Sequence, residues 1–148
     1  MSANSRFAVA THLMTVLAFA ERSPSVGEPQ SSETLARSVN TSAIVVRRLL
    51  GPLREAGLVK GHPGRHGGAS LARPPAEITL LDIYRAVDDP SVFEFSANRP
   101  NPACPVGSCV NELLETVFDG VHKAIEAELG ATRISDLLER AASLSKAR

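Results

Sequence analysis

Apolar residues recur at helical spacing along most of this chain. Phe7 to Arg22 carries Val9, Leu13, Val16, Leu17 and Ala20 on one stripe, which predicts a first helix. Met1 to Ser5 precedes it as a loose tail. His12 lies near the stripe, where a packed, hydrogen-bonded histidine and a metal ligand or sensor are both open readings. Pro24, Gly27 and Pro29 make Ser23 to Gln30 a loop. Ser31 to Ser38 then reads as a short capped helix, and Val39-Asn40-Thr41 as a turn. Ser42 caps a second helix running to Ala56, because a serine hydroxyl accepts from the free N–H groups of a helix start. Val46, Leu49 and Leu53 share one face of it, with Ala43, Ile44 and Arg47 near the opposite face. Gly51-Pro52 predicts a kink or an irregular turn, since proline removes a donor and crowds the preceding turn. The apolar spacing nevertheless continues through Leu53, so the segment is one element.

Gly57 ends that helix and Leu58-Val59 opens a strand. Gly64-Arg65-His66-Gly67-Gly68 is the expected hairpin tip, and Ala69 to Ala72 the return strand. Two short helices across a turn, then a glycine-tipped hairpin, predict a helix-turn-helix with a wing. Arg73-Pro74-Pro75-Ala76 leaves the wing extended. Thr79, with Asp82 three residues on, caps a short helix whose Leu81, Ile83, Tyr84 and Val87 pack back on the first part. Asp88 to Ser108 has four prolines and little periodicity, so it reads as a long loop. From about Ser108 to Leu129 a long stripe returns: Val110, Leu113, Leu114, Val117, Val121, Ala124, Ile125 and Leu129. A small winged domain does not need so long a helix for its own core. It is therefore expected to pack against a second copy of itself. Gly130-Ala131-Thr132 breaks the helix, and Ile134 to Leu144 forms the last one.

The expected fold is thus mainly α with a small β-wing. Residues 1–88 form a winged helix-turn-helix domain, 89–108 a loop, and 109–148 a dimerisation helix with a C-terminal helix.

The 148 residues suit one small core, built on Leu, Val, Ala and Ile because Trp is absent. No run approaches the ~20 apolar residues of a membrane helix. The N-terminus has no basic start or small-residue cleavage site, so a cytoplasmic protein is expected, with no membrane partner. Two cysteines make no disulfide framework.

Sixteen basic and sixteen acidic residues cancel overall, but not locally. From Ser31 to Arg73 seven Lys/Arg face two acids, a net of +5, and the rest of the chain carries −5. A basic winged segment in an acidic molecule is the footprint of a phosphate-binding surface and predicts a double-stranded DNA partner. An enzyme is not expected. Gly64 to Gly68 lacks the Lys-Ser/Thr ending of a phosphate loop, and His62 and His66 have no cysteine at zinc-finger spacing.

The order of parts resembles the Rrf2 family of bacterial winged-helix transcription regulators, which includes iron–sulfur, nitric-oxide and cysteine-metabolism regulators. The likeness rests on Leu35-Ala36, Ser42 to Leu53, Ala56-Gly57-Leu58-Val59, Gly64 to Gly68 with Leu71-Ala72, and Ile78-Thr79-Leu80-Leu81-Asp82-Ile83. The long helix and Ile134-Ser135-Asp136-Leu137-Leu138 extend it over nearly the whole chain. The resemblance implies a homodimer on pseudo-palindromic DNA, with crossed long helices.

By position, it also implies DNA contacts at Ser42, Ile44, Arg47 and Arg48, with Ser32 beside them. Ser42 would bond a phosphate while capping its helix, and Arg47 would read guanine O6 and N7. Arg48 would meet the backbone, and Ile44 a thymine methyl. Arg65 and His66 would serve the wing, although the family often has arginine where this chain has Pro63.

Cluster-binding relatives carry three cysteines before the long helix, whereas this chain has only Cys104 and Cys109. Its Asn101-Pro102-Ala103-Cys104-Pro105-Val106-Gly107 resembles the cluster-free branch, so no cofactor is expected. The two cysteines are candidate sensors. Cys109, in the first turn of the long helix, is expected to be the thiolate, and Cys104 its disulfide partner or a small buried hydrophobe. The expected function is a homodimeric DNA-binding regulator, acting as a repressor, that responds to thiol oxidation or a small-molecule effector. The alternatives are an iron–sulfur sensor using Cys104, Cys109 and His12, and a winged helix that binds protein rather than DNA.

Overall fold

The computed structural model describes residues 3–22, 28–87 and 92–147. Parts of the expected N-terminal tail, the loop at 23–27 and the start of the long loop at 88–91 lie outside the described residues.

Helix α1 spans Ala3–Ala20, so it takes up the described part of the expected tail. Its fully buried positions are Ala10, Leu13, Met14, Leu17 and Ala18. The expected stripe is therefore rotated by about one residue, with Val9 and Val16 on its flank. The reason is that α1 is covered from several sides, by the helix-turn-helix, the wing strand and the last helix. His12 is exposed, and its Nε2 lies 3.2 Å from Ser38 Oγ.

Helices α2 (Ser32–Val39) and α3 (Ala43–Glu55) form the helix-turn-helix. Ser31 caps α2 by accepting from the Thr34 amide at 3.1 Å, and Ser42 caps α3 by accepting from the Val45 amide at 3.3 Å. Asn40 turns the chain between them in the left-handed conformation, which asparagine tolerates. The α3 helix runs unbroken through Pro52. Val46, Leu49, Leu50 and Leu53 bury its inner face.

The wing is an antiparallel pair, β1 (Val59–His62) and β2 (Gly68–Leu71), in the register Val59↔Leu71 to His62↔Gly68. Gly68 thus opens the return strand instead of closing the tip. A bridge between Gln30 and Ala69, with N–O distances of 2.8 and 2.9 Å, ties the start of α2 to β2. Gly68 permits this approach: a Cβ there would come within 2.3 Å of the Gln30 carbonyl oxygen.

After the wing, the expected extended run becomes a single 3₁₀ turn at Pro75–Glu77, with Pro75 supplying the fixed φ of a first helical position. Helix α4 (Leu80–Val87) starts on the predicted capping box: the Asp82 amide donates to Thr79 Oγ1, and the Thr79 amide donates to Asp82 Oδ2. Ile83 and Val87 enter the core, and Tyr84 meets Phe7 edge-to-face at 5.6 Å. Leu81 is only half-buried and turns towards Gly130.

Helix α5 spans Val110–Ala131. Gly130 and Ala131 remain helical, so the break falls at Thr132 and Arg133. Helix α6 (Ile134–Lys146) then returns to the first half of the chain. Ile134 and Leu138 are buried in the same core as Leu13, Leu35, Val46 and Ile78. The Ile134 amide donates to the Ile78 carbonyl at 3.0 Å, the Leu80 amide to the Thr132 carbonyl at 2.9 Å, and Arg133 Nη1 to the Ala76 carbonyl at 2.7 Å. The mainly helical winged fold is as expected. Its core is closed by residues from both ends of the chain.

Candidate nucleic-acid interface

The outer face of α3 is built by the same periodicity that buries the inner one. With Val46, Leu49, Leu50 and Leu53 turned inward, Ile44, Arg47 and Arg48 share the opposite face at i, i+3 and i+4. All three are exposed, and Ile44 keeps 60% of its surface open, although it is a large apolar side chain. Ser42 is exposed at the N-cap and Ser32 half-buried at the first position of α2. Arg65 and His66 are exposed in the turn that joins the wing strands, which is closed by the Gly67 amide donating to the Gly64 carbonyl at 3.1 Å.

Three residues that sequence reasoning saw only as charge or loop have defined roles. Glu33 accepts a hydrogen bond from Arg47 Nη2 across the helix-turn-helix. Arg54, at the end of α3, lies over Gly61 of β1, so close that a Cβ there would be 2.9 Å from its Nη2. Gln30 forms the bridge to the wing. The amide-to-carbonyl pairing and the Arg54 packing fix the wing relative to the two helices. No helical or strand repeat could show them, since each contact joins different elements of the fold. The positive field is also less even than the net charge of the segment: Arg47 faces Glu33 within it, and Arg73 faces Asp82, which lies outside it, at 3.8 Å.

The Cys104–Cys109 loop corrects the sequence expectation. Cys109 is the N-cap of α5, but its thiol makes no cap bond with the free amides. Instead it donates towards the carbonyls of Pro105 at 3.4 Å and Val106 at 3.6 Å. Cys104 is exposed, not buried, and backbone N–H groups of Gly107 and then Val106 hold its thiol below the usual thiol range. The backbone therefore favours the thiolate of Cys104. Successive turns build this loop, with the Cys104 amide donating to the Asn101 carbonyl at 3.2 Å and the Ser108 amide to the Cys104 carbonyl at 2.9 Å. Just upstream, Phe93 and Phe95 pack on Phe118 of α5, with ring centroids at 4.9 and 5.5 Å.

A family model described as an iron-dependent transcriptional regulator, Rrf2, matches residues 3–140. The chain belongs to the Rrf2 family. This member is 38% identical over 135 residues to a Bacillus subtilis protein named as an HTH-type transcriptional regulator, YwnA; the match covers 91% of this chain and 96% of that protein. In structure it is similar to T. potens IscR, with a TM-score of 0.69, 27% identity, and coverage of 95% of this chain and 88% of that one. It is also similar to CymR, the global cysteine regulator of B. subtilis, with a TM-score of 0.66, 29% identity, and coverage of 95% and 98%. The Rrf2 chain described here is accordingly a DNA-binding transcription regulator of the winged helix-turn-helix type, not an enzyme.

The iron named for the family finds no ready-made set of ligands among the described residues of one chain. Among the described residues no three His, Cys, Asp or Glu side chains come together as a metal site. His12 is turned to Ser38, and Cys109 to backbone carbonyls. Among the same residues no helix is long and apolar enough to cross a membrane.

Proposed function

We propose that this Rrf2 protein is a homodimeric, sequence-specific regulator that sets two α3 helices in successive major grooves, in the bacterial cytoplasm where the DNA lies. The observation that carries this reading is the exposed Ile44–Arg47–Arg48 row opposite the buried face of α3. Arg47 serves as the guanine reader, Ile44 meets a thymine methyl, and Ser42, Ser32 and Arg48 bind the backbone. Arg65 and His66 contact phosphate or the minor groove beside it. The dimer forms along α5, where Leu113, Leu114 and Val117 leave an apolar row in the open. Bound over a promoter, such a dimer blocks polymerase and represses. Selection from a random duplex pool tests the reading: a two-fold-symmetric consensus with a steep salt slope is expected. Equal affinity for every duplex would overturn it.

The same reading makes the loop before α5 a thiol switch. Exposed Cys104, held by backbone amides, attacks a hydroperoxide: an S–O bond forms, the O–O bond breaks, and an alcohol leaves after taking a proton. The Cys109 thiol then attacks that sulfur, forming the disulfide and releasing water. The hydroperoxide is the two-electron oxidant. Oxidation is preferred to a small-molecule effector because the amide-held sulfur has a second thiol five residues away in the same tight loop. Mild peroxide followed by alkylation and mass spectrometry should show the Cys104–Cys109 bond at doses that change DNA affinity. Two free thiols at those doses would remove the switch.

A further inference from the structure

Glu33 stands where an acid is unfavourable for binding nucleic acid. It is one of two acids in the basic segment and is exposed at the second position of α2. Its Oε1 accepts from Arg47 Nη2, fourteen residues away on the other helix of the motif. Each partner keeps more than half of its side chain in solvent, at 63% and 57%. An exposed pair of this kind contributes little to folding. Its effect therefore falls on what Arg47 does.

Two consequences follow from the geometry. A guanidinium has five N–H donors, and this bond uses one nitrogen. The remaining donors stay open for the two acceptors on a guanine edge. A free arginine loses rotamer freedom when it docks, and one already held to a carboxylate loses less. The carboxylate also weakens attraction to phosphates in general, whatever the sequence. Holding the reader ready for one base while disfavouring every other duplex is a way to gain specificity.

We infer that Glu33 is a specificity-determining residue, which positions the Arg47 guanidinium for a guanine edge and discounts non-specific DNA. The inference rests on Arg47 as the base reader. Glu33 needs no DNA contact of its own.

The test uses the whole 148-residue chain, a duplex selected by the wild type from a random pool, and a scrambled duplex of the same composition. Affinities for both are measured at one salt concentration for the wild type, Glu33→Gln, Glu33→Asp, Arg47→Ala and the Glu33→Gln/Arg47→Ala double variant. Glu33→Gln should bind the scrambled duplex more tightly and the selected one more weakly. The specificity ratio should fall about tenfold or more, within the discrimination of one bidentate arginine–guanine contact. In the Arg47→Ala background the same substitution should leave the ratio unchanged. Glu33→Asp, which keeps the charge but shortens the reach, should keep wild-type affinity for the scrambled duplex and still lose part of the ratio.

If Arg47→Ala lowers the ratio and Glu33→Gln does not, the inference is overturned and Arg47 stands as reader. An equal effect of Glu33→Gln with and without Arg47 also overturns it, because Glu33 would then act independently. If Arg47→Ala itself leaves the ratio intact, the reading of Arg47 falls, and the inference with it.

Discussion

Removing the apolar row of α5 should separate the dimer without unfolding the chain. Leu113 and Val117 lie one helical turn apart and are 61% and 58% exposed in a single chain. Fully burying such a side chain is worth about 1.5–3 kcal/mol, so covering the part still open gives about 0.9–1.8 kcal/mol for each. Two-fold symmetry repeats both contacts, for a total of about 4–7 kcal/mol. At about 1.4 kcal/mol per factor of ten, the double variant Leu113→Ser/Val117→Ser should weaken dimerisation by about three to five powers of ten. Sedimentation equilibrium over a wide concentration range measures the dissociation constant. The monomer should keep its helical circular dichroism, since neither side chain belongs to the buried core. A double variant that sediments with the wild-type constant would show that these residues do not form the interface. Wild-type protein that stays monomeric at high concentration would dispose of the dimer itself.

Two other outcomes follow from the structure. Gly68→Ala should destabilise the fold by about 1–3 kcal/mol, as the new Cβ forces apart the two Gln30–Ala69 backbone hydrogen bonds; thermal denaturation and amide exchange at Ala69 would show it, and an unchanged Ala69 exchange rate would refute it. Arg85 Nη2 donates to Glu126 Oε1 at 2.7 Å and holds that carboxyl below the usual carboxylate range. The α4–α5 clip is therefore present above the ordinary carboxylate pKa and lost as pH falls through the lowered one. A carboxyl NMR titration should place Glu126 below the usual carboxylate range and move it back in Arg85→Ala; a midpoint insensitive to Arg85 would refute the clip.

Much of the fold was legible because its signals are local. Ser31, Ser42 and the Thr79–Asp82 box cap helices whose free amides lie within three residues, so the sequence alone sets those boundaries. The inner face of α3 was legible for a similar reason, as its spacing survives Pro52. The sulfur chemistry was not. Position at a helix start drew attention to Cys109, but only the folded loop shows that the Gly107 and Val106 amides reach Cys104 and that the Cys109 thiol meets the Pro105 carbonyl.

The sequence by itself determined the helices, the turn, the wing and the family, because periodicity, capping and glycine placement are set by neighbours along the chain. Tertiary structure alone decided that Ile134 and Leu138 close the core begun by Leu13 and Leu17. It also decided that Gln30 joins the wing and that Arg47 rests on Glu33. Such contacts join residues tens of positions apart, or lie across a turn. No repeat in the sequence encodes them; they exist only once helices with interchangeable apolar faces have chosen which faces to share.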